Sequence, residues 1–321
     1  MQDSYGRSID YLRISVTDRC NLRCRYCMPQ GIDWAEHDTI LRYEEILQVA
    51  RAAIAQGINC FKITGGEPLV RRGIVEFIKE LAALPGCRNV TLTTNGLLLA
   101  PLAKPLAQAG LEAVNVSLDT LDPAQYEAIT GFAGLPQVLE SIQAAMQAGL
   151  RVKINSVLLA DTANQIKPLA RLAAQWPVDV RFIELMPIGE GAAGGGYNPA
   201  LAHRELLEEW PDLHSVQERR GNGPAWYEAA EGLLGRIGWI DAVSHGFCDG
   251  CNRVRLTSTG QLKPCLCYEQ GVDLRKLLRS GASQALLEQT IAQAIAQKPK
   301  AHCFNQAQDI TEYRRMAQIG G

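Results

Sequence analysis

Between about residues 10 and 185 the chain alternates short β-rich runs with amphipathic helical runs, and this alternation limits the fold more than any other feature. The expected strands are Leu12–Val16, Cys60–Thr64, Val90–Thr94, Ala113–Leu118, Val152–Leu158 and Val180–Glu184. Helices are expected over Tyr43–Gln56, Gly73–Leu84, Pro101–Ala109, Pro123–Ile129, Leu135–Ala148 and Asn164–Trp176. Gly57, Gly110 and Gly149 each stand where a helix needs a left-handed cap before the next strand. Each helix must carry the chain back to the start of the next strand, so the strands pair in parallel. Six such units predict an α/β fold, a partial (βα)6 barrel of TIM type. Ligands of parallel βα folds gather at the C-terminal ends of the strands, and most notable polar residues here are expected at or near such ends.

After Glu184 the alternation stops. Gly189–Gly196 carries five glycines in eight residues and reads as a flexible loop or lid over the entry. A helix near Ala200–Trp210 follows, then a strand pair ending at Ile240, then a hairpin of Arg253–Thr257 and Gln261–Cys265. The last forty residues read as helical and then irregular. The division expected is a barrel over 1–188 and an extension over 189–321 that closes it.

Hydrophobic residues make up 47% and charged residues 21%, an ordinary globular balance, and the net charge of −2 provides no global basic field for nucleic acid. No apolar run reaches membrane-spanning length and no secretion signal leads the chain. Ten cysteines in such a chain point to a reducing cytoplasm and to metal ligation rather than disulfides. Cys60 and Cys87 read as packing residues. Cys267, two residues past Cys265, competes with it as a ligand, and Cys303 belongs to neither cluster of cysteines.

Six of the ten fall into two triplets, Cys20-x3-Cys24-x2-Cys27 and Cys248-x2-Cys251-x13-Cys265. Three thiolates leave one metal position open for chemistry, whereas a closed structural site uses four ligands. A zinc or electron-transfer site remains an alternative for the first triplet. A zinc knuckle completed by His245 or Cys267 remains one for the second.

The first triplet, with Tyr26 before its last cysteine, resembles the signature of the radical S-adenosylmethionine (SAM) superfamily. Gly65-Gly66-Glu67-Pro68 after the second strand resembles that superfamily's SAM-amine motif. The resemblance implies a [4Fe–4S] cluster on three thiolates, with SAM chelating the fourth iron and yielding a 5′-deoxyadenosyl radical. Tyr26, Gly66, Ser117 and Met186 would then contact SAM.

The run from Phe247 to Leu266 resembles the second-cluster segment of the GTP 3′,8-cyclase family. Further matches are the runs Asp18–Cys24, Ile63–Leu69, Leu92–Gly96 and Asn115–Asp119, and the terminal Gly320-Gly321. The resemblance implies a second [4Fe–4S] cluster on Cys248, Cys251 and Cys265 whose open iron binds guanine, in the first step of molybdenum cofactor biosynthesis. GTP would be held by Arg13, Lys62, Thr93, Lys153, Arg253, Val254 and Arg255, without the Walker loop that this chain lacks. Lys62 stands where many family members have arginine. Catalysis would involve Arg253, Arg255, Gly320 and Gly321, the two glycines entering the barrel. Implied partners are a flavodoxin-like electron donor and a downstream cyclic pyranopterin monophosphate synthase; a homodimer is left open. The competing reading is a radical SAM enzyme with an auxiliary cluster acting on a peptide or another small molecule.

Overall fold

Six parallel strands form close to the expected positions in the computed structural model, which describes residues 1–29 and 34–320. They are β1 (Tyr11–Ser15), β2 (Cys60–Thr64), β3 (Asn89–Thr94), β4 (Ala113–Ser117), β5 (Arg151–Leu158) and β6 (Asp179–Glu184), neighbours in that order. The helices between them are α1 (Tyr43–Ala55), α2 (Ile74–Ala82), α3 (Ala103–Gln108), α4 (Pro123–Thr130), α5 (Leu135–Gln147) and α6 (Ile166–Gln175).

Local chemistry sets the helix ends. The Glu45 carboxylate accepts from the Arg42 amide at 2.7 Å, which caps α1. Asp122 accepts from the Gln125 amide at 2.8 Å ahead of Pro123, and Gly131, at φ +74°, ends α4. The helix expected over Pro101–Ala109 divides into a 3-10 turn (Ala100–Leu102) and α3. Pro105 has no N–H to return to residue 101, so a continuous α-helix cannot run through both prolines.

The six strands share one arrangement: a polar residue between two large apolar ones. Leu12 and Ile14, Phe61 and Ile63, Val90 and Leu92, Val114 and Val116, Val152 and Ile154, and Val180 and Phe182 are buried in the core beneath the helices. Successive strand side chains point to opposite faces, so Arg13, Lys62, Asn115, Lys153 and Arg181 point into the barrel. Typical TIM barrels fill that interior with branched apolar side chains. This one fills it with cations and amides.

The C-terminal third joins the same sheet. Its strands are β7 (His214–Val216), β8 (Trp226–Ala229), β9 (Ile237–Ile240), β10 (Arg253–Leu256), β11 (Gln261–Lys263) and β12 (Val272–Asp273). β9 pairs parallel to β6 and β10 parallel to β1, giving the strand order β12-β11-β10-β1-β2-β3-β4-β5-β6-β9-β8-β7. The extension therefore lengthens both edges of the barrel sheet, and the two outer edges do not pair among the described residues. The expected β10–β11 hairpin is present. Helices α7 (Pro199–Glu209), α8 (Leu274–Arg279), α9 (Gln284–Ala296) and α10 (Met316–Ile319) complete the chain. Among the described residues no helix is long and apolar enough to cross a membrane.

The glycine-rich segment, expected as a flexible loop or lid, carries local structure. Gly189–Ala193 forms a 3-10 turn, and Glu190 pairs with Arg315 of the tail at 3.1 Å. A Cβ on Gly191 would lie 2.5 Å from the Met186 carbonyl oxygen, so glycine is needed there for close packing. The segment clamps the C-terminal tail against the end of β6.

Candidate active site between two thiol triplets

The inward-facing polar residues lie side by side because the strands are in register. Arg13 is paired with Arg255 on one side and Lys62 on the other; Asn115 is paired with Thr93 and Lys153, and Asn155 with Arg181. With its amide oxygen turned inward, Asn115 accepts from Lys62 Nζ at 2.7 Å and from Arg181 at 2.8 Å. These residues line one cavity. Nine Arg and Lys side chains face it, and no Asp or Glu does among the described residues.

So much positive charge in a buried layer is costly. Burial, and after it the charges of Arg181, Arg13 and Lys153, hold Lys62 well below the usual lysine range. Burial and the neighbouring Arg181 bring Lys153 down to about 7, although Asp179 lies 3.6 Å away. Burial and the adjacent Arg13 and Arg253 also lower Arg255 well below its ordinary value. A polyanion relieves all three at once.

The first triplet follows β1 at the C-terminal end of the barrel. Cys20, Cys24 and Cys27 are all free thiols, close enough that Cys20 and Cys27 each raise the pKa of Cys24. Burial pushes Cys24 well above the usual thiol value and Cys27 to about 12. Gly65 and Gly66 let the turn after β2 press against the backbone of this loop. A Cβ on Gly65 would lie 2.6 Å from the Thr17 carbonyl, and one on Gly66 2.5 Å from those of Asp18 and Arg19. Glu67 is fully buried and accepts from Leu69 N, Thr94 Oγ1 and Asn95 N at 3.0, 2.8 and 2.7 Å. It ties the Gly-Gly-Glu-Pro turn to the end of β3. A small pocket beside the loop is lined by Cys24, Tyr26, Ser117 and Asp119, among others. Tyr26 donates to Asp119 at 2.7 Å, and burial raises Asp119 to about 6.

The second triplet lies at the opposite end, since Cys251 precedes β10 and β10 runs parallel to β1. Both ends of this barrel carry site residues, so the expectation that they gather at the C-terminal ends is half right. Nor are Arg13, Lys62 and Lys153 at strand ends: they are mid-strand and point into the channel. Burial pushes the Cys251 thiol up, but Arg253 and Lys298 outweigh it and bring the thiol down to about 7. Cys248 Sγ accepts from the His302 amide at 3.3 Å.

Neither fourth ligand that the alternative zinc knuckle would need is available. The His245 side chain is 82% exposed, and its nearest acid is Asp241 at 3.9 Å. Cys267 is paired with Cys303 in a disulfide, which corrects the expectation that the cysteines outside the triplets stay unpaired. The pairing removes Cys267 as a rival of Cys265 and fastens the 301–304 segment to the second-triplet hairpin. Cys60 is buried and Cys87 half-buried, as packing residues. Each triplet thus offers three thiols, a donor set that fits an iron–sulfur cluster with one open iron.

The C-terminal tail enters the barrel. Lys263, fully buried, bonds Tyr268 O at 2.6 Å and pairs with Glu312, which also holds Arg314 at 2.9 Å. Beyond this anchor α10 ends at Gly320, whose φ is +80°. A Cβ there would lie 3.1 Å from Ser15 Cβ, so both conformation and space favour glycine. The Gly320 carbonyl accepts from Arg255 at 2.9 Å. Gly321 lies outside the described residues.

Of the expected GTP residues, Arg13, Lys62, Thr93, Lys153, Arg253 and Arg255 line the cavity, and so does Met186. Val254 does not. Its side chain is fully buried on the helix side of β10, so only its backbone can serve a ligand. Sequence reasoning missed Arg181, Asn115, Asn155 and Lys298, which line the same cavity, and Asn95, which bonds Asn21 of the first loop at 2.8 Å. A repeated apolar–polar–apolar triplet in each strand was the signal for Asn115 and Arg181.

Comparison with known proteins agrees with this geometry. The Radical SAM superfamily model matches residues 14–173, and the Molybdenum Cofactor Synthesis C model matches residues 178–304. GTP 3′,8-cyclase of Clostridium perfringens (strain 13 / Type A) is 43% identical over 323 residues, spanning all of both chains. That of Heliobacterium modesticaldum is 45% identical over 327 residues, again spanning both. Among solved structures, Streptococcus suis SuiB bound to S-adenosylmethionine superposes with a TM-score of 0.65 at 16% identity. The match covers 96% of this chain and 76% of that one. Native anSMEcpe with bound AdoMet gives 0.62 at 18% identity, covering 92% and 82%. The structural likenesses speak for the radical SAM fold alone.

Proposed function

The chain belongs to the GTP 3′,8-cyclase family of radical SAM enzymes, and from that membership we propose which residues hold each reactant. The activity is the first step of molybdenum cofactor synthesis, conversion of GTP to (8S)-3′,8-cyclo-7,8-dihydro-GTP with SAM and two [4Fe–4S] clusters. When bound, SAM and the clusters supply the radical chemistry that removes the ribose 3′ hydrogen; the chain supplies position, charge and exclusion of water.

Cys20, Cys24 and Cys27 hold the cluster that meets SAM, with Tyr26, Gly66, Ser117 and Met186 around it. Cys248, Cys251 and Cys265 hold the cluster that meets guanine. Arg13, Lys62, Lys153 and Arg181 neutralise the triphosphate, Thr93 adds a hydroxyl, and the Val254 backbone lies between Arg253 and Arg255. Arg255 has a second task, because it fixes Gly320 inside the barrel and so sets where this glycine stands toward the reacting ribose. The observation that carries this assignment is the cavity: nine cations and no lining carboxylate among the described residues, ending at three free thiols. A flavodoxin-like protein serves as electron donor, a cyclic pyranopterin monophosphate synthase consumes the product, and a reducing cytoplasm keeps the six ligand thiols available.

The test is an anaerobic reaction of cluster-loaded protein with SAM, dithionite and either GTP or ATP, read by mass spectrometry. The assignment predicts 5′-deoxyadenosine and the cyclised product from GTP and no cyclised ATP. It also predicts that Lys62→Ala and Arg181→Ala raise KM for GTP about tenfold or more while leaving the KM for SAM unchanged. Loss of SAM affinity in those variants would refute it.

A further inference from the structure

One stretch of the cavity wall has no role in the assignment above: the loop Glu218–Pro224 between β7 and β8. Gly221 through Pro224 line the same cavity as the cations of the barrel, and Arg220 faces it with them. The loop crosses the N-terminal mouth of the barrel. At one side Asp179, at the start of β6, takes Arg220 in a double hydrogen bond, Nε to both carboxylate oxygens at 3.0 Å. At the other side Asn222 lies beside the thiol of Cys60, at the start of β2. Its glycines bring the backbone directly over two cations. A Cβ on Gly221 would lie 3.4 Å from Lys153 Nζ, and one on Gly223 3.9 Å from an Arg181 guanidinium nitrogen. Gly221 has φ +125°, which only glycine adopts without strain.

Charge at this mouth is unbalanced. Lys153 and Arg220 both pair with the single buried carboxylate of Asp179, Arg181 adds its charge beside Lys153, and the half-exposed Glu218 is shared between Arg220 and Arg236. With guanine at the second triplet, the phosphate chain is the only part of a nucleoside triphosphate that needs such a surplus. A monophosphate has one phosphate to place, and the barrel cations Arg13 and Lys62 suffice for it. A longer chain must end somewhere, and the mouth offers an arginine fork gripped in a fixed orientation by Asp179.

We propose that the Glu218–Pro224 loop reads the length of the phosphate chain, with Arg220 binding the terminal phosphate and the Gly221–Gly223 backbone lying against it. This rests on the GTP reading and makes it narrower: the loop makes the enzyme prefer a triphosphate to shorter guanine nucleotides.

The experiment is anaerobic equilibrium dialysis of GTP, GDP and GMP against cluster-loaded wild type, Arg220→Gln and Gly223→Ala. Melting curves confirm that each variant is folded. Gly223→Ala leaves the Asp179–Arg220 pair intact and meets no backbone, so it probes the loop even if Arg220→Gln unfolds. Arg220→Gln is expected to weaken GTP about 10- to 100-fold, as loss of a charge-assisted contact should, and GMP by no more than about twofold. Gly223→Ala is expected to move GTP in the same direction by a smaller factor and leave GMP alone. Equal losses for GTP and GMP, or unchanged GTP binding in both folded variants, overturn the proposal and leave the loop a structural plug. Wild type that binds GTP and GMP equally overturns it too, while wild type that binds neither overturns the GTP reading itself.

Discussion

The two thiol triplets have the same donor count and opposite surroundings. At the first, the charged groups that most affect the thiols include the carboxylates of Glu67 and Asp119, and burial drives Cys24 and Cys27 upward. At the second, burial raises Cys248 as well, but at Cys251 Arg253 and Lys298 outweigh burial and bring the thiol down to about 7, and the channel leading away holds only cations among its described charged residues. SAM is a sulfonium cation and GTP a polyanion. Each end of the barrel therefore has the background charge that suits the reactant assigned to it, before any specific hydrogen bond is counted. The same three thiols do not make the same site; the surrounding charge separates them.

The contrast can be broken most severely at Arg255, which joins the two halves by holding Gly320 beside β1. Arg255→Ala is expected to cut cyclised product about 100-fold or more, the scale of losing a preorganised charged donor. SAM cleavage to 5′-deoxyadenosine persists, because Arg255 holds neither the Cys20–Cys27 loop nor the Gly65–Pro68 turn. Mass spectrometry of both products from one reaction checks this, and a parallel fall in the two contradicts it.

A middle-sized effect concerns the cost of the cationic layer. In the folded protein Lys153 titrates near 7 rather than 10.5, so between those values the unfolded chain binds more protons and stability rises with pH. Below about 7 the penalty of the buried ammonium is fully present. Lys153→Met is therefore expected to raise the melting temperature of nucleotide-free protein at pH 6, with the gain fading as pH rises from 7 towards 10. The same variant weakens GTP binding at pH 6 by about tenfold. Melting curves across pH check the first effect and equilibrium dialysis the second.

The smallest effect is expected at Glu67, on the acidic side. Glu67→Gln replaces an acceptor that serves three donors with an amide that can serve only some of them, costing about 1–3 kcal/mol in urea unfolding. GTP affinity should not change. A loss of GTP binding would show that the two ends are not independent.

Much of this architecture was legible in the sequence, and the misses have a common origin. Strand positions came out within a residue or two because Gly57, Gly110 and Gly149 mark where each helix must stop. The cysteine spacings identified both triplets, since a cluster loop is local in sequence. The interior layer was read only in part. Arg13, Lys62 and Lys153 were found by resemblance, yet they were expected at strand ends, because in most βα barrels the interior is apolar and function stays at the rim. The triplets Val-Asn-Val around Asn115 and Val-Arg-Phe around Arg181 carried the correction: a polar residue flanked by core residues must face the other side of the sheet. The same alternation turns the Val254 side chain to the helix side of β10 and leaves its backbone to face a ligand. The Cys267–Cys303 pairing and the Glu190–Arg315 clamp depend on how the tail folds back over 36 and 125 residues, which no local pattern encodes.

The most direct test measures SAM and GTP binding separately on two cluster-ligand variants, Cys24→Ser and Cys251→Ser, by anaerobic equilibrium dialysis. The account predicts a crossed result: Cys24→Ser loses SAM and keeps GTP, while Cys251→Ser loses GTP and keeps SAM. If either variant loses both ligands while still folded, or if Cys251→Ser binds GTP as wild type does, the assignment of one reactant to each end of the barrel is wrong.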